Sequence, residues 1–159
     1  MNAKKISLFG IFLALAVVGA SIKIPAVIAS VALDMVPALI GAVVLGGRAG
    51  GCIAFFGHLL SALIGGMPLG PFHVLIAVEM AVLVWVFGYF YQKGKRVLGG
   101  VLFVVGNTFL ASLPFLFIIG TGFYVGMIPS LCIGSLLNTI LAILLTPSLS
   151  TYFAKRLHV

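Results

Sequence analysis

The side chains able to do chemistry in this chain are few, and most lie inside apolar runs. Glu79 is the acid within a long apolar stretch, Val78-Glu79-Met80, and Asp34 is the other acid of the chain. An acid at the centre of a bilayer costs about 2.5–3.5 kcal/mol on insertion scales. Glu79 is therefore read as a ligand contact or proton site, with a hydrogen bond to a neighbouring helix as the structural alternative. Asn107 and Asn138 also sit mid-run. An amide offers donor and acceptor together, which suits the edge of a heterocycle. It serves equally as glue between helices, worth about 0.6 kcal/mol on average. His58 is read as a packed hydrogen-bonding group. His73 follows Phe72 where an apolar run begins, and the two are placed to line a pocket mouth. Lys23 and Asp34 flank one loop and are placed to pair as a latch.

Catalysis finds little support. Ser61 follows His58 by three residues, on one helical face, but an isolated pair lacks the orienting and oxyanion groups a serine hydrolase needs. Membrane phosphotransfer needs several acids to hold magnesium. No His/Cys/Asp/Glu spacing reads as a metal site, and Cys52 and Cys132 read as free packed thiols. The expectation is a protein that is not an enzyme, with no cofactor, no metal and no catalytic residue.

The composition says which elements carry these residues. The chain has 159 residues, 63% hydrophobic and 7% charged, against roughly 45–50% and about 25% in soluble domains. So few charges cannot cover a water-facing surface, and an integral membrane protein remains. Six helices of about 20 residues would use about 120 positions, and a seventh would leave almost no loop. The expected fold is all-α: six transmembrane helices in one compact bundle, a single membrane domain over 1–159. The net charge of +7 would suggest nucleic acid in a soluble chain. Here the basic residues are scattered between apolar runs, so the partner is the lipid bilayer and not nucleic acid.

The first span is Ile6–Ile22. It has the outline of a signal peptide, with two lysines and a small-residue Val18-Gly19-Ala20, but is long enough to span and is read as a helix. Lys23–Leu33 is an outer loop. Asp34–Gly47 is a short second span that must tilt, borrow from its flanks or sit against protein. The third span is Ala49–Ile64 and the breaker cluster Gly65–Pro71 is a loop. The fourth is Phe72–Tyr91, followed by the basic turn Gln92–Arg96. The fifth is Val97–Ile119, kinked at Pro114. The sixth is Phe123–Thr151, its regular part trimmed by Pro129 and Pro147, and Ala154–Val159 is a tail. With this order Lys4, Lys5, Arg48, Lys93, Lys95, Arg96, Lys155 and Arg156 share one side and Lys23 stands alone on the other. That asymmetry puts both termini in the cytoplasm. On the first span Gly10 and Ala14, and again Ala16 and Ala20, give small residues at i and i+4, a spacing that lets helices approach closely in lipid.

Along its whole length the chain resembles the substrate-binding S component of an energy-coupling factor (ECF) vitamin transporter. The similarity runs through the short second span beginning Asp34-Met-Val-Pro37-Ala38, the turn Leu45-Gly46-Gly47-Arg48-Ala49-Gly50, Gly57-His58, Gly65-Gly66, Gly70-Pro71-Phe72-His73 and Glu79. The resemblance implies an outward pocket roofed by the first outer loop and lined by the outer halves of the last three spans. It implies Glu79 and Asn138 near the ligand, with Asn107, His73, Phe72, Lys23 and Asp34 as further candidates. It also implies contact with a coupling transmembrane subunit through Gly10 and Ala14, or through Ala16 and Ala20, and two ATPase subunits as partners in the bacterial plasma membrane. Glycine at 10 departs from the alanine common there. Overall similarity points most to the α-ribazole-type S component, which takes up a benzimidazole riboside used in cobalamin synthesis. A thiamine precursor or riboflavin remains open as ligand, and so does a stand-alone proton-coupled secondary transporter working through Glu79.

Overall fold

The computed structural model describes residues 3–25 and 30–157. Seven α-helices follow in the order α1 (Ala3–Ser21), α2 (Met35–Val44), α3 (Gly47–Ile64), α4 (Phe72–Gln92), α5 (Arg96–Val105), α6 (Leu113–Ile118) and α7 (Thr121–Leu157). A π-helical turn, Gly106–Leu110, joins α5 to α6, so these three pieces make one interrupted span. Among the described residues five spans are long and apolar enough to cross a membrane, and α2 is a shorter apolar helix.

Each long helix divides its apolar residues between the bundle and the lipid. On α1 Leu8, Phe12, Ala16, Gly19 and Ala20 are buried, a spacing of three and four that keeps them on one stripe. Ile6, Ile11, Leu15 and Val18 stay exposed on the other side. In water such a face would be a liability. In hydrocarbon it is the expected outer surface, since lipid is as apolar as leucine.

The second span sits against protein. It has 10 residues, about 15 Å at helical rise, where the hydrocarbon core is about 30 Å. Met35, Pro37, Ala38, Leu39, Ile40, Gly41 and Ala42 are all buried, so α2 is wrapped by the other helices. Close backbone approach holds it there. A Cβ on Gly88 would lie 2.9 Å from that of Ala42, and one on Gly50 would collide with the same alanine. Glycine at these two places lets α3 and α4 close on α2 from two sides. The chain then turns at Gly46, whose φ of 102° is open to glycine and strained for other residues. Ending a helix inside the bundle orphans its last carbonyls; the Gln92 side chain donates to the Ala42 carbonyl at 3.4 Å.

The structure adds one detail to the expected order and corrects two expectations. The first outer loop contains a small antiparallel ladder, β1 (Lys23–Pro25) with β2 (Ser30–Ala32), because two extended segments can satisfy each other's backbone groups; 26–29 lie outside the described residues. The fifth span does not simply bend at Pro114. It changes to π geometry at Gly106, with Ala111 N–H bonded to the Gly106 carbonyl at 2.9 Å, and Pro114 sits in the first turn of α6, where its missing N–H matters least. Pro129 and Pro147 do not trim the last helix, which runs 37 residues through both and takes in 154–157 of the expected tail. Residues 158–159 lie outside the described residues. Near Pro147, hydroxyls return to the backbone: Thr146 Oγ1 donates to the Ala142 carbonyl at 2.5 Å and Thr151 Oγ1 to the Pro147 carbonyl at 2.9 Å. Neighbouring hydroxyls of this kind help a membrane helix tolerate proline.

The charge asymmetry gives a direct test. In a background without Cys52 and Cys132, a cysteine at Lys95 should label from the cytoplasm and one at Met67 from outside. Labelling of both from one side would refute the chain path described.

Candidate functional site

Helix α4 carries the acid. His73, Ala77, Met80, Val84 and Phe87 form its buried stripe, and Val74, Val78, Val82, Trp85 and Tyr89 face lipid. Glu79 falls between these faces, in line with Ile76 and Leu83 at helical spacing. Both neighbours look toward the π turn. A Cβ on Gly106 would collide with the Leu83 side chain, and Ile76 and Asn107 line one cavity. The Glu79 carboxylate is half-buried and accepts no hydrogen bond among the described residues, and its Oε2 is out of contact with solvent. A buried polar group is normally partnered, so an orphan calls for an explanation.

The cavity beside it is small, about 60 Å³. Ile76, Asn107, Ser112, Phe115, Phe123 and Met127 supply most of its wall, and Leu69 of the loop between α3 and α4 closes it. It lies between the outer parts of α4, α6 and α7. Asn107 Nδ2 donates to Ser135 Oγ at 2.6 Å, and Ser135 in turn donates to the Leu131 carbonyl. The side-chain carbonyl of Asn107 has no partner among the described residues, so an acceptor remains at the cavity wall. Aromatic rings frame the mouth. Phe72 packs edge-on against Phe115 at 6.1 Å between centroids, and Phe115 against Phe123 at the same distance. A larger groove of about 230 Å³ between the inner halves of α5 and α7 is apolar except for Thr139 and open to lipid.

Asn138 lies elsewhere in the bonding scheme. Its Oδ1 accepts from Val36 N–H at 2.9 Å, and its Nδ2 donates to the carbonyls of Ala32 and Gly134 at the same distance. The amide is buried at 3% exposure and joins α7 to the hairpin and to the first turn of α2. Its hydrogen-bonding groups are engaged by backbone, the helix-joining alternative open to such an amide. The Lys23–Asp34 latch does not form. Lys23 is exposed, while Asp34 is buried with Ser61 as a hydrogen-bond donor to its carboxylate. That pairing also removes Ser61 from His58. His58 Nε2 instead meets His73 Nδ1 at 3.1 Å, across α3 and α4.

The two small-residue registers of α1 separate. Gly10 and Ala14 are exposed on the outer surface of the bundle, and a Cβ on Gly10 would meet nothing within 4 Å. Ala16 and Ala20 are buried at 0% and 2% exposure, with Ala16 facing Gly57 of α3. The second register is internal packing and is closed to another chain. Sequence reasoning missed Ser112, Phe115, Phe123 and Ser135. The aromatic pair flanking Pro114 and the Gly120-Thr-Gly122 turn was a usable signal. The π turn that brings Asn107 to Ser135 left no such mark. No group of three metal-ligating side chains occurs among the described residues.

Residues 4–157 match the family described as ECF transporter, substrate-specific component. The chain belongs to that family. ECF S components bind a small-molecule substrate and work with the other subunits of the ECF module, so this chain is a multi-pass protein of the cell membrane and not an enzyme. Its fold is similar to that of a solved S component of a bacterial ECF transporter, with a TM-score of 0.78 at 22% identity, covering 96% of this chain and 99% of that one. Comparison with curated protein sequences gives no match.

Replacing Asn138 by alanine would leave the Val36 N–H without its acceptor in a buried setting, at about 1–3 kcal/mol. A lower unfolding midpoint of the purified chain in detergent is the expected outcome. An unchanged midpoint would show that the clamp contributes nothing.

Proposed function

We propose that the outer cavity between α4, the π turn, α6 and α7 is where this S component captures its substrate, and that the substrate is a neutral or weakly cationic aromatic heterocycle. The observation that carries this reading is Glu79, an acid at membrane depth with no partner among the described residues, one helical turn from a cavity-lining side chain. A ligand that donates a hydrogen bond or brings positive charge removes the burial penalty that the protein leaves open. The unused carbonyl of Asn107 adds an acceptor, and Phe72, Phe115 and Phe123 supply flat apolar surface. Phosphorylated and dianionic ligands fit this chemistry poorly. Asn138 supports the site from behind, holding the hairpin and α2.

α-Ribazole, a benzimidazole riboside, satisfies these terms: an aromatic bicycle for the phenylalanines and sugar hydroxyls to donate to the carboxylate and the amide. A thiamine precursor and riboflavin share the ring and the donors. Uptake would be driven by ATP through a coupling subunit seated against Gly10 and Ala14, the small residues of α1 that face outward. The unpartnered Glu79 also fits a stand-alone proton-coupled carrier; uptake that survives loss of the ATPase subunits would favour it.

Two measurements test the proposal. Calorimetry on the solubilised chain should show α-ribazole binding weakened about 5- to 150-fold by Glu79→Gln and by Asn107→Ala, the range given by about 1–3 kcal/mol for an unpaired buried group. Unchanged affinity in both would misplace the pocket. Ala14→Trp should abolish uptake in cells and leave binding to the isolated chain intact, because a close helix seam has no room for an indole. Normal uptake in that variant would move the seam elsewhere.

A further inference from the structure

The loop between α3 and α4 is held in an unusual conformation. Gly66, Met67 and Gly70 all have positive φ, of 82°, 51° and 54°. Met67 is the one described non-glycine residue in that region, where a side chain crowds the backbone. Local bonds define the shape: Met67 N–H to the Ala62 carbonyl and Gly70 N–H to the Met67 carbonyl, both at 2.8 Å. What ties the loop to the helices below is different in kind. The Leu69 N–H donates to His73 Nε2 at 3.4 Å, and His73 Nδ1 meets His58 Nε2 at 3.1 Å. Leu69 is also the loop residue that closes the outer cavity.

The bonding fixes where the protons are. A backbone N–H can only donate, so His73 Nε2 carries no proton and His73 Nδ1 does. That hydrogen then points at His58 Nε2, which must be bare. The chain of bonds exists only while both rings are neutral. A proton on His58 Nε2 would set two N–H groups head to head, and a proton on His73 Nε2 would face the Leu69 N–H. His73 is buried at 7% exposure and packs its ring on His58 at 5.3 Å, so neither ring turns aside without opening the contact. The remaining charged groups nearby are engaged or displaced. On the α2 side Asp34 is turned to Ser61, Lys23 on β1 is exposed, and Glu79 lies off the His73 stripe and deeper on α4. The outer halves of α1 and of the α5–α6 span carry no titratable side chain.

We propose that the His58–His73 pair is a proton-sensitive catch that positions the 65–71 loop over the outer cavity, closed when both rings are neutral and released when the pair takes up a proton. Its consequence for ligand retention rests on the cavity being the substrate site; the movement of the loop does not. The direction follows from the bonds. Loss of the catch comes with falling pH, and the closed form prevails at neutral and higher pH.

The test separates the two claims. In full-length chain lacking Cys52 and Cys132, reconstituted in lipid nanodiscs, spin labels at Pro68 and Thr121 report the loop against the exposed start of α7. Their distance is measured from pH about 8.5, two units above the ordinary imidazole value of about 6.5, down to about 3, well below it. The expected result is a single short distance at the higher pH and a longer, broader distribution at the lower. The double variant His58→Gln with His73→Gln keeps an acceptor for Leu69 and a donor between the helices but cannot titrate, and should stay short at both. His73→Leu, which has no acceptor, should be long at both. An unmoved loop in the parent chain overturns the catch, and so does a double variant that moves as far as the parent. In the same samples α-ribazole affinity should fall at least about tenfold on acidification in the parent alone. If α-ribazole binds at neither pH while the loop moves, the catch stands and the substrate assignment fails.

Discussion

One buried amide closes the outer end of this bundle. A helix that starts inside a membrane protein presents N–H groups that water cannot reach, and in hydrocarbon each of them must find a protein partner. Asn138 supplies that partner to α2 and, with its other end, a donor to the hairpin strand that feeds it. The position of α2 then decides much else. Ala42, near its inner end, is the alanine on which Gly50 and Gly88 close, so α3 and α4 are set by where α2 lies, and α4 carries Glu79. A single side chain on the longest helix thus fixes the depth and direction of the short one, and through it the helix that bears the acid.

The polar groups of the outer half fall into two sets by what they touch. Asn138, the Asp34–Ser61 pair and the two histidines are all engaged by protein. Among the described residues the Glu79 carboxylate, the side-chain carbonyl of Asn107 and the buried Thr108 hydroxyl are not. Leaving such groups open in a low-dielectric setting works against stability. Binding sites tolerate this because an incoming partner recovers the loss. Glu79 stands on α4 beside the cavity, and Asn107 and Thr108 stand on the neighbouring π turn, the arrangement on which the proposed recognition rests.

Much of the architecture was legible from composition and charge. The sparse charges required a membrane bundle, the lysine and arginine distribution implies an orientation for it, and the 14-residue second run had to tilt, borrow from its flanks or sit against protein, of which the structure shows the last. The site was legible only in part. Glu79 stood out because an intramembrane acid is costly wherever it faces. Asn107 and Asn138 looked alike, since an amide mid-span carries no sign of which way its helix is rotated; one turned out to clamp backbone and the other to border the cavity. The same blindness to rotation left the two small-residue registers of α1 equivalent until burial separated Ala16 and Ala20 from Gly10 and Ala14. Helix continuity through Pro129 and Pro147 was misjudged because proline signals in water assume that a broken bond is solvated, whereas in lipid nearby hydroxyls and neighbouring helices keep the helix intact.

The π turn is, in register, an insertion of one residue into an otherwise ordinary helix. One buried stripe of this span runs Gly99, Phe103, Gly106 and then Ala111 and Phe115, with a step of five where its other steps are three or four, and Gly100, Thr108 and Ser112 are buried beside it. The wide turn absorbs the surplus, so the halves before and after it present the same face to the bundle. A chain shortened by one residue between 107 and 110 would regain an unbroken α-helix with its buried stripe still aligned. The bundle would survive such a deletion, and the orientation of Asn107 toward Ser135 and the cavity would not. Chain length at this point is therefore a determinant of the cavity wall that is independent of side-chain identity.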